Sequence, residues 1–378
     1  MALSQDELLR YQRHLTLADV GLAGQEKLKA ARVLLIGAGG LGSPAALYLA
    51  SVGIGTLGIV DFDTVDLSNL QRQILYTHDD VGKSKAETAK KHLEAMNPFI
   101  TIQIHDERFS AENAEAIMSG YDILLDGTDN FSTRYLVNDA CVLLGKINVY
   151  GSIFQFEGQI SVFGDPDGPC YRCLYPEAPE AGSIPNCAEA GVLGILPGTV
   201  GVIQATEAVK LILGIGKSLV GRIILYDALQ MTFRELKLKK DPACPVCGTN
   251  PSITKLEELD ISCELKEEED MSIEITPTDL NKILDSENLQ IVDVREDWEH
   301  QLCKLPDTTD SLFIPLGELV QRVDELNADK DLVIYCRSGM RSLNATEYLL
   351  ANGFKSVKNM TGGIHQWSDE IDPSIPKY

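Results

Sequence analysis

The sequence predicts an α/β protein in which a Rossmann-like, doubly wound domain precedes a smaller α/β domain. Apolar runs typical of buried strands alternate with helical stretches through residues 1–248. A strand at 33–36 leads into a glycine turn at 37–42, and a second strand ends on Asp61 about twenty residues later, as in nucleotide-binding sheets. A second alternation of short strands and helices begins near Ile275.

Length and charge divide the chain into two domains joined by a linker. Its 378 residues are enough for two separate hydrophobic cores. Residues 249–274 are rich in Asp and Glu and contain only Lys255 and Lys266 as cations. Because like charges this dense favour an extended chain, we predict domains over 1–248 and 275–378 and an acidic linker over 249–274.

The strands follow from short apolar runs bounded by turn residues. In the first domain we predict strands at 33–36, 58–61, 101–105, 122–126, 147–151 and 158–163, of which the first five suit a doubly wound sheet. The helix after the glycine turn begins near Ser43 and Pro44, where the missing N–H of proline costs nothing. The second domain has buried strands at 289–294 and 331–335, and we expect Trp298 and Trp367 to be core or packing residues of this domain.

The net charge of −23 limits the classes of partner. So acidic a surface repels nucleic acid and anionic lipid headgroups, and it favours a partner with basic patches, although solubility alone also explains such a charge. The apolar region 192–215 is interrupted by Pro197, Glu207 and Lys210, which predicts a buried helix and not a membrane span.

The cysteines indicate a reducing compartment. There are nine, an odd number, and they include two Cys-x-x-Cys pairs, which suit metal or thiol chemistry better than a disulfide framework. Since no basic region followed by an apolar core occurs near Met1, we expect no secretory signal and a cytoplasmic location.

The residues after the glycine turn favour ATP over a dinucleotide. Asp61 is placed for a ribose hydroxyl, and the first helix N-terminus faces phosphate. Residues 68–73 and Lys85 then bring amide and cationic side chains toward a triphosphate. In adenylation, a carboxylate attacks the α-phosphate and negative charge accumulates, so Arg72 and Lys85 suit the phosphates and Asp129 suits Mg²⁺. The alternative is that these polar residues are ordinary surface residues and the turn binds NAD.

Two cysteine pairs, Cys170 with Cys173 and Cys244 with Cys247, are spaced as zinc ligands. Four thiolates would complete a tetrahedral Zn²⁺ site with a structural role, because no ligand position remains for water. The alternative is two redox dithiols. Cys187 lies in a segment of small residues and proline, and it is either an incidental free thiol or a functional one.

Cys336 is the most promising nucleophile. A buried strand ends on it, and a short loop containing Arg337 and Arg341 leads into a helix. Successive backbone N–H groups, a helix N-terminus and two arginines would stabilise a thiolate or a persulfide anion. Phosphatases enclose a phosphate in a loop with the spacing Cys-x5-Arg, whereas the spacing here is Cys-x4-Arg, and the smaller loop suits sulfur better. The alternatives are phosphatase or arsenate chemistry and a catalytically silent domain.

Residues 1–248 resemble the MoeB/ThiF family, the E1-like enzymes that activate ubiquitin-like sulfur carriers. The resemblance rests on residues 10–13, the glycine turn, residues 68–73, Lys85, residues 126–130 and both cysteine pairs. It implies that Asp129 is essential and that Arg13 reaches into the partner's site of a homodimer. It also implies that ATP is bound by Gly37, Gly39, Gly40, Gly42, Asp61, Asp63, Ser68, Asn69, Leu70, Gln71, Arg72, Gln73, Lys85, Asp129 and Asn130.

Residues 275–375 resemble a rhodanese domain. The resemblance rests on residues 293–296, 336–342 and 362–367. It implies that Cys336 carries a persulfide delivered by a sulfur donor such as a cysteine desulfurase. The loop after its glycine departs from that of eukaryotic two-domain relatives, which leaves the donor open.

Together these features predict an enzyme that is both an adenylyltransferase and a sulfurtransferase. It would adenylate the C-terminal glycine of a small ubiquitin-like sulfur carrier ending in Gly-Gly, and the Cys336 persulfide would convert the acyl-adenylate into a thiocarboxylate with Cys187 as resolving thiol. Carriers for molybdopterin, thiamine, thiolated tRNA and cysteine remain open. The alternatives are activation of a ubiquitin-like protein for conjugation through a Cys187 thioester, and a redox-sensing binding module.

Overall fold

The computed structural model describes residues 2–179, 191–259, 273–306 and 310–378. These residues belong to two compact units, Met1–Ser262 and Cys263–Tyr378.

The first unit alternates helices with strands. Its helices are α1 (Gln5–Arg10), α2 (Gln12–Leu15), α3 (Gly21–Ala30), α4 (Gly42–Val52), α5 (Lys85–Met96), α6 (Ala114–Met118), α7 (Phe131–Leu144), α8 (Tyr171–Leu174) and α9 (Leu196–Leu213). Its strands are β1 (Arg32–Ile36), β2 (Thr56–Val60), β3 (Thr101–His105), β4 (Ile123–Asp126), β5 (Ile147–Phe154), β6 (Glu157–Phe163), β7 (Arg222–Asp227) and β8 (Thr232–Lys237). Short 3-10 helices span Leu67–Asn69 and His78–Asp80.

One eight-stranded sheet organises this unit, in the order β3-β2-β1-β4-β5-β6-β7-β8. The first five strands are parallel, which confirms the predicted doubly wound arrangement, and β6 to β8 continue the sheet in antiparallel fashion. The last residue of β1, Ile36, is paired with Val60 on one side and Asp126 on the other. The segments that follow β1, β2 and β4 therefore leave the same edge of the sheet side by side.

Helix α4 begins directly after the glycine turn, with Pro44 in its first turn as predicted. Its small and apolar residues are buried against the sheet and against α9. Helix α9 is long and apolar enough by length and composition to cross a membrane, but half of it is buried inside the protein. It packs on α4 and β5, as expected of a buried core helix.

The described start of the predicted linker packs on the first unit. Leu256 contacts the core cluster that includes Leu124 and Leu136, and Ser132 Oγ donates to the Leu259 carbonyl at 3.0 Å. Residues 260–272 lie outside the described residues, and the last predicted linker residue, Glu274, belongs to a strand of the second unit.

The second unit is built around five parallel strands. Its helices are α10 (Pro277–Ile283), α11 (Asp297–Leu302), α12 (Met340–Ala351) and α13 (Gly363–Glu370), with 3-10 helices at Leu316–Glu318 and Val323–Glu325. Its strands are β9 (Glu274–Ile275), β10 (Leu289–Asp293), β11 (Ser311–Phe313), β12 (Asp331–Tyr335) and β13 (Val357–Met360), in the order β11-β10-β12-β13-β9. Trp367 is fully buried in the core, and Trp298, which is 59% exposed, packs edge-on against Tyr378 with ring centroids 5.4 Å apart. The expectation that both are core or packing residues is confirmed.

Candidate active sites

The glycine turn is shaped by close backbone contacts. Gly37 has φ of +91°, and a Cβ there would lie 2.9 Å from the Gly127 carbonyl oxygen. A Cβ on Gly42 would collide with the carbonyl oxygen of Gly37. Only glycine allows these approaches, which bring the loop after β1 against the loop after β4 at the N-terminus of α4.

The peptide groups of Ala38 are held at three points inside this turn. Asp61 Oδ2 accepts the Ala38 N–H at 2.8 Å, while Ser43 Oγ and Tyr76 OH donate to the Ala38 carbonyl at 3.1 and 3.0 Å. Burial raises the pKa of Asp61, against the opposing effects of Lys85 and the two backbone hydrogen bonds. The predicted ribose-binding carboxylate therefore also fixes the shape of the turn, and Tyr76 adds a contact that its sequence position does not signal.

The predicted polar segment 68–73 lies against the turn. A Cβ on Gly40 would lie 3.6 Å from Arg72 Cδ, and one on Gly39 would lie 3.5 Å from Gln73 Nε2. Arg72 Nη1 donates to the Ser68 carbonyl at 3.1 Å, which curls the segment. Within the described part of the chain, Gln73 Oε1 is buried without a hydrogen-bond partner, so this carbonyl can accept a bond from a ligand.

Lys85 is the other predicted phosphate-binding cation. It is the first residue of α5, it is 5% exposed, and its Nζ donates to Asp63 Oδ2 at 2.9 Å. Asp63 N–H in turn donates to Asp61 Oδ1 at 3.0 Å. These two hydrogen bonds link the Lys85 ammonium group through Asp63 to Asp61, the carboxylate that accepts the Ala38 N–H of the glycine turn.

The remaining predicted nucleotide residues lie on the surface. Asp129 and Asn130 are exposed between β4 and α7, and Asn130 Oδ1 caps that helix by accepting the Thr133 N–H at 2.9 Å. The Asp129 carboxylate is an oxygen donor of the kind that Mg²⁺ prefers. Arg13 is exposed on α2, so the role predicted for it depends on a second copy of the chain.

The two cysteine pairs converge although they are far apart in sequence. The Sγ atoms of Cys170 and Cys244 lie 3.5 Å apart, those of Cys173 and Cys247 lie 3.3 Å apart, and all four lie within 4.8 Å of one another. Four sulfurs around tetrahedral zinc are about 3.8 Å apart, given a Zn–S distance near 2.3 Å, so the cluster fits this ion. Burial raises the pKa of Cys170, and it raises that of Cys247 to about 12, so a bound cation would favour the thiolate forms of these two residues. Burial also tends to raise the pKa of Cys244, but hydrogen bonds from the Cys247 and Val246 N–H groups lower it overall.

A buried ion pair supports the cluster. Arg172, between the cysteines of the first pair, donates from Nε and Nη2 to the two carboxylate oxygens of Asp139, both at 2.8 Å. Its guanidinium carbon lies 4.6 Å from the ring centroid of Tyr135. These contacts anchor the first cysteine pair to α7.

In the second unit, Cys336 follows β12 and is fully buried. The Gly339 N–H and Ser342 Oγ donate to its Sγ at 3.1 and 3.3 Å. Gly339 has φ of +96°, which turns the loop back into the N-terminus of α12. The sulfur therefore receives one backbone N–H bond and one hydroxyl bond, which are of the kind that stabilise an anion. The sequence-based prediction names successive N–H groups and two arginines, and it does not name the Ser342 hydroxyl.

The two loop arginines are both engaged by other groups. Arg341 donates from Nη1 and Nη2 to the two carboxylate oxygens of Glu299, each at 2.7 Å. Burial tends to lower the pKa of Arg341, but Glu299 and, more weakly, Cys336 raise it. The guanidinium of Arg337 lies 5.4 Å from the ring centroid of Tyr378.

A network of buried polar groups lies behind this loop. Arg295 donates from Nε and Nη2 to Asp293 at 2.8 and 2.7 Å and from Nη1 to the Tyr378 hydroxyl at 2.6 Å. Tyr335 OH also donates to Asp293, at 2.9 Å. Local sequence does not single out Glu299 or Tyr378, because each contacts groups that are distant along the chain.

One thiol with a predicted function is not among the residues that the structure describes. Cys187 falls in 180–190, outside the described residues. Of the other cysteines without a motif, Cys141 is buried in the core of the first unit and Cys303 is partly buried in the second.

Comparison with known proteins gives one family match in each of the two units. Residues 11–246 match the ThiF family, and residues 276–370 match the rhodanese-like domain. The "Probable adenylyltransferase/sulfurtransferase MoeZ" of Mycobacterium tuberculosis is 45% identical over all of this chain and 97% of its own length. The "Adenylyltransferase and sulfurtransferase MOCS3" of Anopheles gambiae is 39% identical over all of this chain and 90% of its own length.

Two further matches each cover about two thirds of this chain. The "Sulfur carrier protein adenylyltransferase" of Thermus thermophilus is 50% identical over 70% of this chain and all of its own length. Among solved structures, E. coli MccB with succinimide has a TM-score of 0.57 at 23% identity, over 65% of this chain and 75% of its own, and it supports the fold alone. The chain therefore belongs to the ThiF family and carries a rhodanese-like domain after its ThiF domain.

Proposed function

We propose that this enzyme adenylates the C-terminal glycine of a small ubiquitin-like sulfur carrier and then transfers sulfur to it from a Cys336 persulfide. The observation that carries the proposal is that one chain combines the glycine turn, flanked by Arg72 and Lys85, with a thiol loop whose sulfur receives two hydrogen bonds. The full-length relatives bear both activities in their names, which supports the combination.

The first step forms an acyl-adenylate. The carrier carboxylate attacks the α-phosphate of ATP, the bond to the β-phosphate oxygen breaks, and pyrophosphate leaves with its electron pair. The N–H groups of the glycine turn and the cations Arg72 and Lys85 would offset the accumulating charge. Asp129 would hold Mg²⁺, which supplies further positive charge at the phosphates. Asp61, which accepts the Ala38 N–H, would bind the ribose.

The second step uses the thiol loop. The terminal sulfur of the Cys336 persulfide attacks the acyl carbonyl and AMP leaves, which gives an acyl disulfide with the enzyme. A second thiol, for which we propose Cys187, attacks the Cys336 sulfur, so that the carrier thiocarboxylate leaves and a disulfide forms between the two cysteines. An external thiol reduces this disulfide, and a donor such as a cysteine desulfurase reloads Cys336.

The proposal also covers the metal site, the oligomeric state and the connection between the two units. Cys170, Cys173, Cys244 and Cys247 hold a structural Zn²⁺. The enzyme acts as a cytoplasmic homodimer in which Arg13 of one protomer completes the site of its partner. Because both units belong to one chain, the Cys336 persulfide stays tethered to the adenylation unit, and this raises the local concentration of the persulfide there.

The test is to incubate the protein with ATP, a persulfide donor and each candidate Gly-Gly carrier, and then to weigh the intact carrier. We expect a mass gain equal to the difference between sulfur and oxygen on one carrier. Cys336→Ser should abolish this gain while carrier-dependent exchange of labelled pyrophosphate into ATP continues, and Cys303→Ser is the matched control. Loss of exchange in Cys336→Ser, or unchanged thiocarboxylate formation, would overturn the assignment.

A further inference from the structure

The thiol loop packs against the double glycine at residues 362–363, where helix α13 begins. The Ile364 N–H donates to the Cys336 carbonyl at 2.9 Å, and the His365 N–H donates to the Arg337 carbonyl at 3.2 Å. These donors belong to the first turn of the helix, whose N–H groups have no partner within the helix itself. The start of α13 therefore holds the backbone of Cys336 and of the residue after it.

Glycine is needed at residue 363 for this contact. Gly363 has φ of +59°, and a Cβ there would lie 2.5 Å from the carbonyl oxygens of both Cys336 and Arg337. Gly362 has φ of +65° and contacts a later part of the loop, because a Cβ on Gly339 would lie 3.0 Å from the Gly362 nitrogen. Backbone segments that approach this closely leave no room for a side chain between them.

The two contacts fix the groups that bind the Cys336 sulfur. The Gly339 N–H donates to Cys336 Sγ at 3.1 Å. Ser342 Oγ lies 3.3 Å from the same sulfur and 3.0 Å from the Gly339 carbonyl oxygen, so its one proton is shared between them. The double glycine contacts both Cys336 and Gly339, and the separation of these two residues sets the length and direction of the N–H bond to the sulfur.

We propose that the double glycine positions the thiol loop for sulfur transfer by holding Cys336 and Gly339 at the separation that directs the Gly339 N–H to the sulfur. This inference rests on the proposed role of Cys336. A sulfur anion, whether thiolate or persulfide, is stabilised by a well-directed donor, and this stabilisation weakens steeply as the donor moves out of line. Gly362 and Gly363 act through the loop backbone, so they are positioning residues.

The test is the rate of Cys336 alkylation by iodoacetamide as a function of pH, followed in the full chain by mass spectrometry of the peptide that contains Cys336. The midpoint of this profile reports the pKa of the thiol, whereas the plateau at high pH reports access to the buried sulfur. Gly363→Ala should raise the midpoint by about one pH unit, as expected for the loss of one hydrogen bond to a charged group. The rate at neutral pH, relative to the plateau, should fall about tenfold.

A second variant applies a milder push from the loop side. Gly339→Ala keeps the N–H donor but places a Cβ against Gly362, and it should raise the midpoint by about half a pH unit. Gly353→Ala is the matched control, because Gly353 has the same φ of +96° as Gly339. Among the described residues, no heavy atom beyond its chain neighbours lies within 4 Å of a Cβ on Gly353. The control therefore carries the same backbone strain without the contact, and its midpoint should stay unchanged.

Two results would overturn the inference: an unchanged midpoint in Gly363→Ala with a folded second unit, or equal midpoints in Gly339→Ala and Gly353→Ala. Tryptophan fluorescence during urea denaturation reports whether the second unit is folded. If Gly363→Ala does not fold, the comparison of the other two variants decides. The charged side chains Arg337, Arg341 and Glu299 are the same in every variant. Persulfide loading of the wild-type protein tests the proposed function separately, since alkylation reports the thiol whether or not it accepts sulfur.

Discussion

Removal of metal from the four-cysteine cluster is the perturbation with the largest expected effect on stability. Cys170 and Cys244 are 74 residues apart in sequence, and their sulfur atoms are 3.5 Å apart. A cross-link that closes a loop of this length removes conformational entropy from the unfolded chain worth about 4 kcal/mol. Chelation of bound zinc, or Cys244→Ser, should therefore lower the free energy of unfolding of the first unit by about that amount.

The assay can distinguish the two units. Both tryptophans of the chain, Trp298 and Trp367, belong to the second unit, so intrinsic tryptophan fluorescence follows that unit alone. Urea denaturation followed by circular dichroism should show a transition that shifts to lower urea after chelation, while the fluorescence transition stays where it was. Cys303→Ser, outside the cluster, should leave the zinc content and both transitions unchanged.

Two results would refute the reasoning. The first is substoichiometric zinc after gentle purification, measured by atomic emission, because a four-thiolate site binds zinc tightly. The second is stoichiometric zinc whose removal leaves the circular dichroism midpoint unchanged. That result would mean that packing such as the pair of Arg172 and Asp139 already holds the cysteine pairs together without the ion.

Other contacts support three further predictions. Asp139→Asn breaks the buried pair with Arg172 and should destabilise the first unit by about 3 kcal/mol in urea denaturation; an unchanged midpoint contradicts this. Tyr76→Phe removes a buried hydrogen bond to the glycine turn that is worth about 1 kcal/mol. It should therefore lower kcat/KM for ATP in pyrophosphate exchange about fivefold. Kinetics equal to those of the wild type would contradict a role for the Tyr76 hydroxyl in positioning the turn. Hydrogen bonds from Thr77 lower the pKa of Asp80 from 3.8 to about 2. The stability that the Asp80 carboxylate contributes is therefore complete above pH 3.8 and is lost as the pH falls toward 2. The difference in unfolding free energy between wild type and Asp80→Asn should shrink over that range, and a constant difference would contradict this prediction.

Local patterns predicted much of the fold. The five parallel strands of the first unit and the strands β10 and β12 lie where short apolar runs occur, with boundaries that differ by up to three residues. Strand ends shift in this way because the sheet edge continues as long as a neighbour offers hydrogen bonds, as in β5, which extends to Phe154 through its antiparallel pairing with β6. The local pattern does not separate a core tryptophan from a packing one: Trp367 is fully buried, whereas Trp298 lies on a short surface helix and stays exposed while it packs on Tyr378.

The sequence by itself determined the order of strands and turns, the glycine turn with Asp61 behind it, the two cysteine pairs and the strand that ends at Cys336. These features depend on near neighbours, because strand periodicity, turn geometry and ligand spacing are local properties of the chain. Only the tertiary structure decided which distant side chains meet. The closure of the cysteine cluster, the bond from Tyr76 to Ala38 and the contacts of Tyr378 depend on how whole elements pack, and no local pattern encodes that packing.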